Sequence, residues 1–235
     1  SEFSATQLGS IAIKGVLEKA TVDAQLVNEV YMGNVVSANL GQAPTRQASI
    51  GAGIGSNVPC TTINKVCASG MKATMIGAQS IMLGQNDIVV TGGMESMTNI
   101  PYYLPKARGG YKYGHGQIVD GLMHDGLWEI YNGFPMGSCG DHTAKEMKIS
   151  RKEQDEYAIR SYKRAAQATE NGAFRNEIIP IELPQKKGEP ILMDKDEEYT
   201  RVKFEKIPDL KPVFSPDGTI TAANASTIND GAAAM

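Results

Sequence analysis

Cys67 is the residue whose type and position best suit covalent chemistry in this sequence. It stands where an extended segment, residues 59–66, meets a helix predicted from about Ala68 to Leu83. The first turn of a helix carries unpaired backbone N–H groups and a partial positive charge, and both favour a thiolate over a thiol. A thiolate accepts an acyl group as a thioester, and nearby N–H groups can hold the oxyanion of the tetrahedral intermediate. The position predicts an acyl-accepting nucleophile.

The alternative for Cys67 is a structural role, because a free cysteine commonly serves as a small buried apolar residue. Its position alone leaves that alternative open. Cys60 and Cys139 lack even this context, and we interpret both as structural. The three cysteines form no CxxC pair and the three histidines are isolated, so neither a disulfide framework nor a zinc site is favoured.

Three further segments have compositions that suit ligand contacts. Gly92-Gly93 follows a predicted strand, and glycines there favour a turn and close backbone contacts. Residues 221–226, TAANAS, would let a ligand lie against the backbone, although close packing of two elements explains them equally well. The third segment has basic residues that suit phosphate groups or a solvated loop: Arg201, Lys203 and Lys206.

The elements that would position these residues alternate along the first hundred positions. Apolar spacing and caps predict helices at 4–20, 44–50 and 68–83, and strands at 30–36, 59–66 and 87–91. Such alternation predicts a layered α/β core with a mixed sheet. The helix after Cys67 has few polar side chains, so we expect it to be buried on most sides.

The alternation of predicted helices and apolar strands ends at about residue 98, and a segment of similar apolar and small-residue composition begins again near residue 219. Between them lie a Gly-, Tyr- and Pro-rich stretch, a long helix from Ser150 to Asn171-Gly172, and short extended pieces. We therefore predict a core at 1–97 and 216–235, and an inserted loop domain at 98–215 that shapes a binding site. The chain stops in an apolar run, so we expect that more protein once followed.

The composition and net charge of the chain indicate which classes of binding partner are not expected. The chain has 235 residues, 41% of them hydrophobic and 21% charged, with a net charge of −3, which is typical of a globular protein with a buried core. Without a basic excess we expect no nucleic-acid partner. Without a run of about 18 apolar residues we expect no membrane partner.

Taken together, these segments resemble the thiolases. Residues 60–72, CTTINKVCASGMK, are similar to the nucleophile signature of that family. Other matching blocks are GQAPTRQ at 41–47, GGMESM at 92–97 and NASTINDGA at 224–232. The resemblance covers essentially the whole chain and is strongest to the N-terminal half of the mitochondrial acetoacetyl-CoA thiolases.

The resemblance implies an α/β fold with a thiolase-like layered α-β-α core and mixed sheet, plus an inserted α+β loop domain for coenzyme A binding. It implies an acyltransferase that reversibly condenses two acetyl-CoA into acetoacetyl-CoA and CoA through an acyl-Cys67 intermediate, with no tightly bound cofactor. The resemblance also implies a homodimer or homotetramer whose subunits meet at the sheet edge near residues 88–91. It implies a location in the mitochondrial matrix.

The resemblance also implies roles for individual residues. Those that would hold the nucleotide end of coenzyme A are Arg201, Val202, Lys203 and Lys206. Those along the pantetheine are Leu127 and Ser226. Tyr162 would contact coenzyme A and line a potassium site with three alanines, Ala222, Ala223 and Ala225. Carbonyl oxygens suit such a hard cation.

What this sequence lacks from the family pattern bears on activity. The family's second half supplies an Asn, a His in a Gly-His-Pro motif that activates the nucleophile, and a second Cys that serves as acid and base. We therefore expect these 235 residues alone to be inactive. Two alternatives stay open: a 3-ketoacyl-CoA thiolase for longer chains, and a non-catalytic acyl-CoA-binding protein on the same fold.

Overall fold

The computed structural model describes residues 2–235, which form two compact units. The first unit contains the chain up to residue 127 together with 228–235, and the second contains 128–227. In chain order the elements are α1 (Ala5–Ala20), β1 (Glu29–Gly33), α2 (Pro44–Gly51), β2 (Cys60–Ile63), α3 (Ser69–Met82), β3 (Val89–Ser96), β4 (Tyr102–Tyr103), β5 (Val119–Asp120), β6 (Trp128–Glu129), β7 (Phe134–Pro135), α4 (Met136–Glu146), α5 (Arg151–Glu170), β8 (Ile181–Leu183), β9 (Ile191–Met193) and β10 (Asp230–Ala234).

The first unit is built on a four-stranded sheet in the order β10-β3-β1-β2. β1 runs parallel to both β2 and β3, whereas β10 runs antiparallel to β3. The predicted mixed sheet is therefore confirmed. The prediction that residues 88–91 lie near a sheet edge is wrong, because β3 is paired on both sides; the edges are β2 and β10.

β3 is longer than predicted because it continues through Gly92-Gly93. The two glycines form no turn. Gly92 pairs with β10, where a side chain on Gly92 would collide with the carbonyl group of Ala233. The glycine is therefore needed for the close approach of two backbones and not for chain reversal.

Helices cover the two faces of the sheet, since neighbouring residues of a strand point to opposite faces. Val90 and Met94 of β3 belong to the main apolar core together with Ile13 of α1. Thr91, on the other face, contacts α3, where its hydroxyl lies 3.3 Å from that of Thr74. The layered α-β-α arrangement is confirmed.

α1 and α2 pack together on one face. Ser4 and Gln7 form the predicted capping box at the start of α1, and Leu8 and Leu17 are buried as expected. The apolar spacing predicts a buried stripe of Leu8, Ile11, Ala12 and Leu17. Ile11 and Ala12 are only half-buried, whereas Ile13 is fully buried.

The prediction that α3 is buried on most sides is wrong. Its small residues form the stripe that faces the sheet, with Ser69, Ala73 and Gly77 buried. The methionines point away, and Met71 and Met82 are 71% and 84% exposed. Small side chains let the helix approach β1 and β3 closely, so the larger apolar ones are left on the outer face.

The second unit contains α4, α5 and two small hairpins. The capping box of Ser150 and Glu153 starts α5, and Asn171 and Gly172 end it, as predicted. α4 was not predicted. The hairpins pair β6 with β7 and β8 with β9.

The units divide the chain later than the boundaries at 98 and 215 that composition indicated. Residues up to 127 belong to the first unit because β4 and β5 lead into a helical turn, Leu122–Gly126, that lies beside the residues after β1. Within residues 2–235, no helix is both long and apolar enough to cross a membrane.

Candidate active site

Cys67 lies at the turn between β2 and α3, and its side chain is exposed. The sulfur is therefore accessible to a reagent or substrate, as a nucleophile requires. Cys60, in β2, is only partly exposed, and its Sγ lies 3.4 Å from the carbonyl oxygen of Val58. Cys139, in α4, is also partly exposed.

The turn that presents Cys67 depends on an unusual backbone conformation at Val66, whose φ is 49°. That left-handed conformation is unfavourable for a β-branched residue. Two side chains hold it: Asn64 Oδ1 accepts the N–H of Val66 at 3.0 Å, and Ser69 Oγ donates to the carbonyl oxygen of Val66 at 2.5 Å. The Ser69 hydroxyl also accepts the N–H of Lys65 at 2.8 Å.

The start of α3 next to Cys67 is not capped by a side chain. Its N-cap residue is Ala68, and no acidic residue occupies the first turn. The N–H groups of Ala68 and Ser69 donate to the carbonyl oxygens of Lys65 at 3.2 Å and Val66 at 3.0 Å, and no side chain caps the N–H groups that follow them. Gly33, at the end of β1, brings the sheet against this turn, since a Cβ there would lie 2.6 Å from the amide nitrogen of Gly70.

A cleft of about 420 Å³ opens beside Cys67, entirely within the first unit. Apolar and glycine residues predominate in its lining, which comes from the end of β1, the start of α3, β3, the turn before Leu127, and β10. Leu127, predicted to contact pantetheine, lines the same cleft as Cys67. A narrow, largely apolar cleft beside an exposed sulfur suits an acyl chain.

Glu95 is the other ionisable residue that lines this cleft. Its carboxylate accepts the backbone N–H of Val35 at 2.8 Å and of Val36 at 3.4 Å, and the side-chain amide of Asn34 at 3.0 Å. Burial raises the pKa of Glu95 above its ordinary value, although these hydrogen bonds act in the opposite direction.

The basic residues predicted to bind the nucleotide all lie in one short stretch of the second unit. Arg201 pairs with Glu197 at 2.6 Å, and both side chains are largely exposed. Lys203 and Lys206 are exposed and Val202 is half-buried. An exposed ion pair contributes little to stability, so Arg201 can exchange its carboxylate partner for a phosphate at small cost.

Tyr162 lies on α5 and packs edge-on against Phe204, with ring centroids 6.4 Å apart. Burial, and to a lesser extent the negative charge of Glu198, raises the pKa of Tyr162, so its hydroxyl stays protonated at neutral pH. Lys163 lies 5.7 Å from the centroid of the Phe204 ring. These contacts join α5 to the basic stretch.

The predicted potassium residues Ala222, Ala223 and Ala225 occupy a turn organised by Asn224. The amide oxygen of Asn224 accepts the N–H of Thr221 at 2.7 Å. Its amide nitrogen donates to the carbonyl oxygen of Thr219 and to Asp155 Oδ1, both at 3.0 Å. Ser226, at the end of this turn, is exposed.

Asp155 connects this turn to another part of the second unit. Its second oxygen accepts the guanidinium of Arg151 at 2.7 Å. Arg151 also donates to the carbonyl oxygen of Ile207, a fully buried residue that follows the basic stretch. The turn, α5 and the residues after Lys206 are thereby joined by charge-assisted hydrogen bonds.

A larger cleft, about 600 Å³, lies in the second unit and is lined by residues of α4 and 215–219. Asp141 anchors it by accepting the N–H groups of Thr219 at 2.7 Å and Ile220 at 3.0 Å. The residues predicted to be functional lie elsewhere, so we assign no role to this cleft.

Sequence reasoning missed the polar residues around the Cys67 turn. Asn64 and Glu95 fell inside the recognised blocks but received no role, and Asn34 was not considered. The signal that could have identified Glu95 is its charge in a segment of small and apolar residues. A buried carboxylate is costly unless it is hydrogen-bonded, so its presence there indicates nearby N–H donors.

Comparison with known proteins gives a consistent result. The family model described as the thiolase N-terminal domain matches residues 1–235. Acetyl-CoA acetyltransferase 1 of Arabidopsis thaliana and the mitochondrial acetyl-CoA acetyltransferase of Homo sapiens are each 54% identical over 100% of this chain. The crystal structure of Acat5 thiolase from Ascaris suum in complex with coenzyme A is 45% identical and covers 99% of this chain with a TM-score of 0.92.

The matched proteins are longer than this chain. The aligned region accounts for 57% of the Arabidopsis protein, 55% of the human protein and 59% of the Ascaris chain. The chain therefore spans about half the length of the relatives it matches.

The strain at Val66 yields a stability prediction. Val66→Asn should raise the free energy of unfolding by about 1 kcal/mol, because asparagine tolerates the left-handed conformation better than a β-branched residue does. Urea denaturation measures the change. Val213→Asn is the matched control, since Val213 is similarly exposed (58% against 52%) and its φ is not positive. An equal change in both variants would contradict the strain at Val66.

Proposed function

Because the chain belongs to the thiolase family, we propose that it is the nucleophile-bearing part of an acyltransferase that reversibly condenses two acetyl-CoA into acetoacetyl-CoA and CoA. The observation that supports this most directly is the exposed Cys67 at the uncapped start of α3, beside an apolar cleft. The relatives at about half identity carry the name acetyl-CoA acetyltransferase, which favours acetyl units over longer acyl chains.

In the first half-reaction, the Cys67 thiolate attacks the thioester carbonyl carbon of one acyl-CoA. A carbon–sulfur bond forms, the carbonyl oxygen becomes an oxyanion, and backbone N–H groups near Cys67 would stabilise it. The oxyanion collapses and the coenzyme A thiolate leaves. The acyl group then remains on Cys67 as a thioester, with its chain in the cleft.

In the second half-reaction, another acetyl-CoA loses an α-proton and its carbanion attacks the acyl-Cys67 carbonyl. The new carbon–carbon bond yields acetoacetyl-CoA, and the Cys67 thiolate is released. This step requires a base and an acid. By family resemblance we place both outside these 235 residues, so the chain alone should not turn over.

We propose that the second unit binds coenzyme A. Its basic stretch, with Arg201, Lys203 and Lys206 exposed, offers three positive charges for the nucleotide phosphates. By family resemblance, Val202 would also contact the nucleotide end, Tyr162 would contact coenzyme A, and Leu127 and Ser226 would lie along the pantetheine. The Ascaris thiolase was crystallised with coenzyme A, which supports a coenzyme A thioester as the substrate.

We also propose a potassium ion at the turn of residues 222–225. Three alanine carbonyl groups and the protonated hydroxyl of Tyr162 are neutral oxygen donors, which suit a large monovalent cation. Asn224 fixes the turn through hydrogen bonds to Thr221, Thr219 and Asp155, so its carbonyls are held in one arrangement. When bound, the ion would supply positive charge that orders the turn beside Ser226.

Assembly is proposed as a homodimer or a homotetramer. β2 pairs only with β1 in the described residues, so its outer edge presents unpaired backbone groups that a second copy can meet. Sedimentation velocity would show a mass of two or four chains, and a monomer at micromolar concentration would contradict the proposal.

A mitochondrial location is proposed on narrower grounds. The rat, human, mouse and bovine relatives carry the word mitochondrial in their names, whereas those of Arabidopsis and fission yeast do not. Subcellular fractionation of the source cells would test it, and exclusion from the mitochondrial fraction would contradict it.

The nucleophile is tested by trapping. At neutral pH, iodoacetamide should alkylate Cys67 about tenfold faster than Cys60, because Cys67 is exposed at an uncapped helix start. Peptide mass spectrometry measures both rates in one sample. The Cys60→Ala variant is the control, and its Cys67 rate should be unchanged.

Equal alkylation rates at the two cysteines would favour a non-catalytic acyl-CoA-binding protein. The same preparation should show no measurable cleavage of acetoacetyl-CoA. Turnover at a normal enzymatic rate would show that the missing acid and base are not needed.

The potassium site is tested through stability. At equal concentrations, KCl should raise the Tm of this chain over NaCl by about 2–4 °C, since an ion that binds only the folded state stabilises it. Tyr162→Phe should abolish the difference, because it removes one oxygen donor. Tyr157→Phe, on the same helix and 66% exposed, should keep it. Equal Tm values of the unmodified chain in the two salts would rule out a potassium site.

A further inference from the structure

We propose that Glu95 is a positioning residue for Cys67 and acts through a continuous chain of hydrogen bonds that ends at the backbone of Val66. The inference rests on the proposed role of Cys67 as nucleophile. It concerns a residue that makes no bond to the reacting atoms, and that holds in place the turn which presents them.

The chain of hydrogen bonds begins at the cleft wall. Oε2 of Glu95 accepts the N–H groups of Val35 at 2.8 Å and Val36 at 3.4 Å, and Oε1 accepts the amide of Asn34 at 3.0 Å. Asn34 is almost fully buried, and its own amide oxygen accepts the hydroxyl of Ser37 at 2.5 Å. One carboxylate therefore fixes the three residues that follow β1.

A single peptide plane carries the effect onward. The N–H of Val36 and the carbonyl group of Val35 belong to the same rigid peptide unit. Its N–H donates to Glu95, and its carbonyl oxygen accepts the side-chain amide of Asn64 at 3.1 Å. The orientation of that plane thus links Glu95 in β3 to Asn64 after β2.

The last link reaches the strained residue beside the nucleophile. Asn64 Oδ1 accepts the N–H of Val66 at 3.0 Å, and Val66 has the left-handed φ of 49°. A strained conformation persists only where its surroundings enforce it. Ser69 holds Val66 on its carbonyl side, and the chain from Glu95 holds it on its amide side.

A carboxylate suits this role better than an amide would. Both of its oxygens are acceptors, and all three partners present N–H donors. A glutamine has the same size but only one acceptor oxygen, and its NH₂ group would face a donor. Glu95→Gln therefore keeps the volume of the side chain and breaks part of the clamp.

The alternative is that Glu95 serves stability alone. The chain offers a matched comparison at the other end of β1, where Asn28 Oδ1 accepts the N–H groups of Asp87 at 3.0 Å and Ile88 at 2.9 Å. This is also a side-chain clamp on two consecutive N–H groups, but Asn28 does not line the Cys67 cleft. Loss of either clamp should lower stability, and only loss of the Glu95 clamp should reach Cys67.

The experiment measures the ratio of the iodoacetamide alkylation rates at Cys67 and Cys60 in the 235-residue chain, together with the Tm. Glu95→Gln and Asn64→Ala should each lower the ratio by about tenfold, because a relaxed turn would no longer hold Cys67 at the uncapped start of α3, on which its fast alkylation depends. Asn28→Ala should lower the Tm and leave the ratio unchanged. The double variant Glu95→Gln/Asn64→Ala should show no further fall, since both residues act in one series.

Two outcomes would overturn the role of Glu95 without affecting the proposed nucleophile. One is a Cys67-to-Cys60 rate ratio that stays high in Glu95→Gln, and the other is a further fall of that ratio in the double variant. A ratio near one in the unmodified chain would overturn the proposed nucleophile and, with it, this inference. If Glu95→Gln does not fold, Asn64→Ala decides the matter, because Asn64 is exposed and outside the core. A ratio unchanged by Asn64→Ala would then refute the hydrogen-bonded series.

Discussion

The left-handed backbone at Val66 is the constraint on which the rest of the site depends. It turns the chain from β2 directly into α3, so Cys67 is exposed at the start of the helix instead of continuing the strand. The conformation is unfavourable for valine, and it is retained because Asn64 and Ser69 bond both sides of the residue. The small residues of α3 and the absent side chain of Gly33 then let this turn lie against the sheet, beside a cleft lined mainly by apolar and glycine residues.

Local sequence patterns were sufficient to predict most of the helices and strands of the core. The capping boxes of Ser4 and Ser150 mark the starts of α1 and α5, and the alternation of helices and strands predicted a layered α/β core with a mixed sheet. The α-β-α order of the layers was implied by the family resemblance. Tertiary partners decided the remainder. Gly92 was interpreted as a turn because no sequence pattern shows that β10 will approach it, and α3 was expected to be buried because composition does not show which side of a helix faces the sheet.

The candidate site divides in the same way. Cys67 was singled out from its place at a helix start, a property of adjacent residues, and the family resemblance then favoured a nucleophile over a structural role. Glu95 and Asn34 were not, because their role depends on contacts about sixty positions apart in sequence, with separations of 60 and 61 residues. Composition had marked the basic stretch and residues 221–226 as possible ligand contacts, and only the family resemblance gave them coenzyme A and potassium roles. Hydrogen bonds that Asp155 accepts from Asn224 and Arg151 connect the two segments.

The pairing of β3 with β10 has a consequence for how the chain reaches this structure. Ser96 and Asp230, 134 positions apart, are hydrogen-bonded at that seam, and the whole second unit lies between them in sequence. During synthesis this side of the sheet stays open until residues 230–234 are available to pair with β3, whereas residues 128–227 emerge earlier as one uninterrupted stretch. Closing so long a loop adds little entropy cost, since that cost grows only with the logarithm of length, but it makes the sheet slow to complete. The topology therefore allows residues 128–227 to fold before the pairing of β3 with β10 completes the sheet beside Cys67.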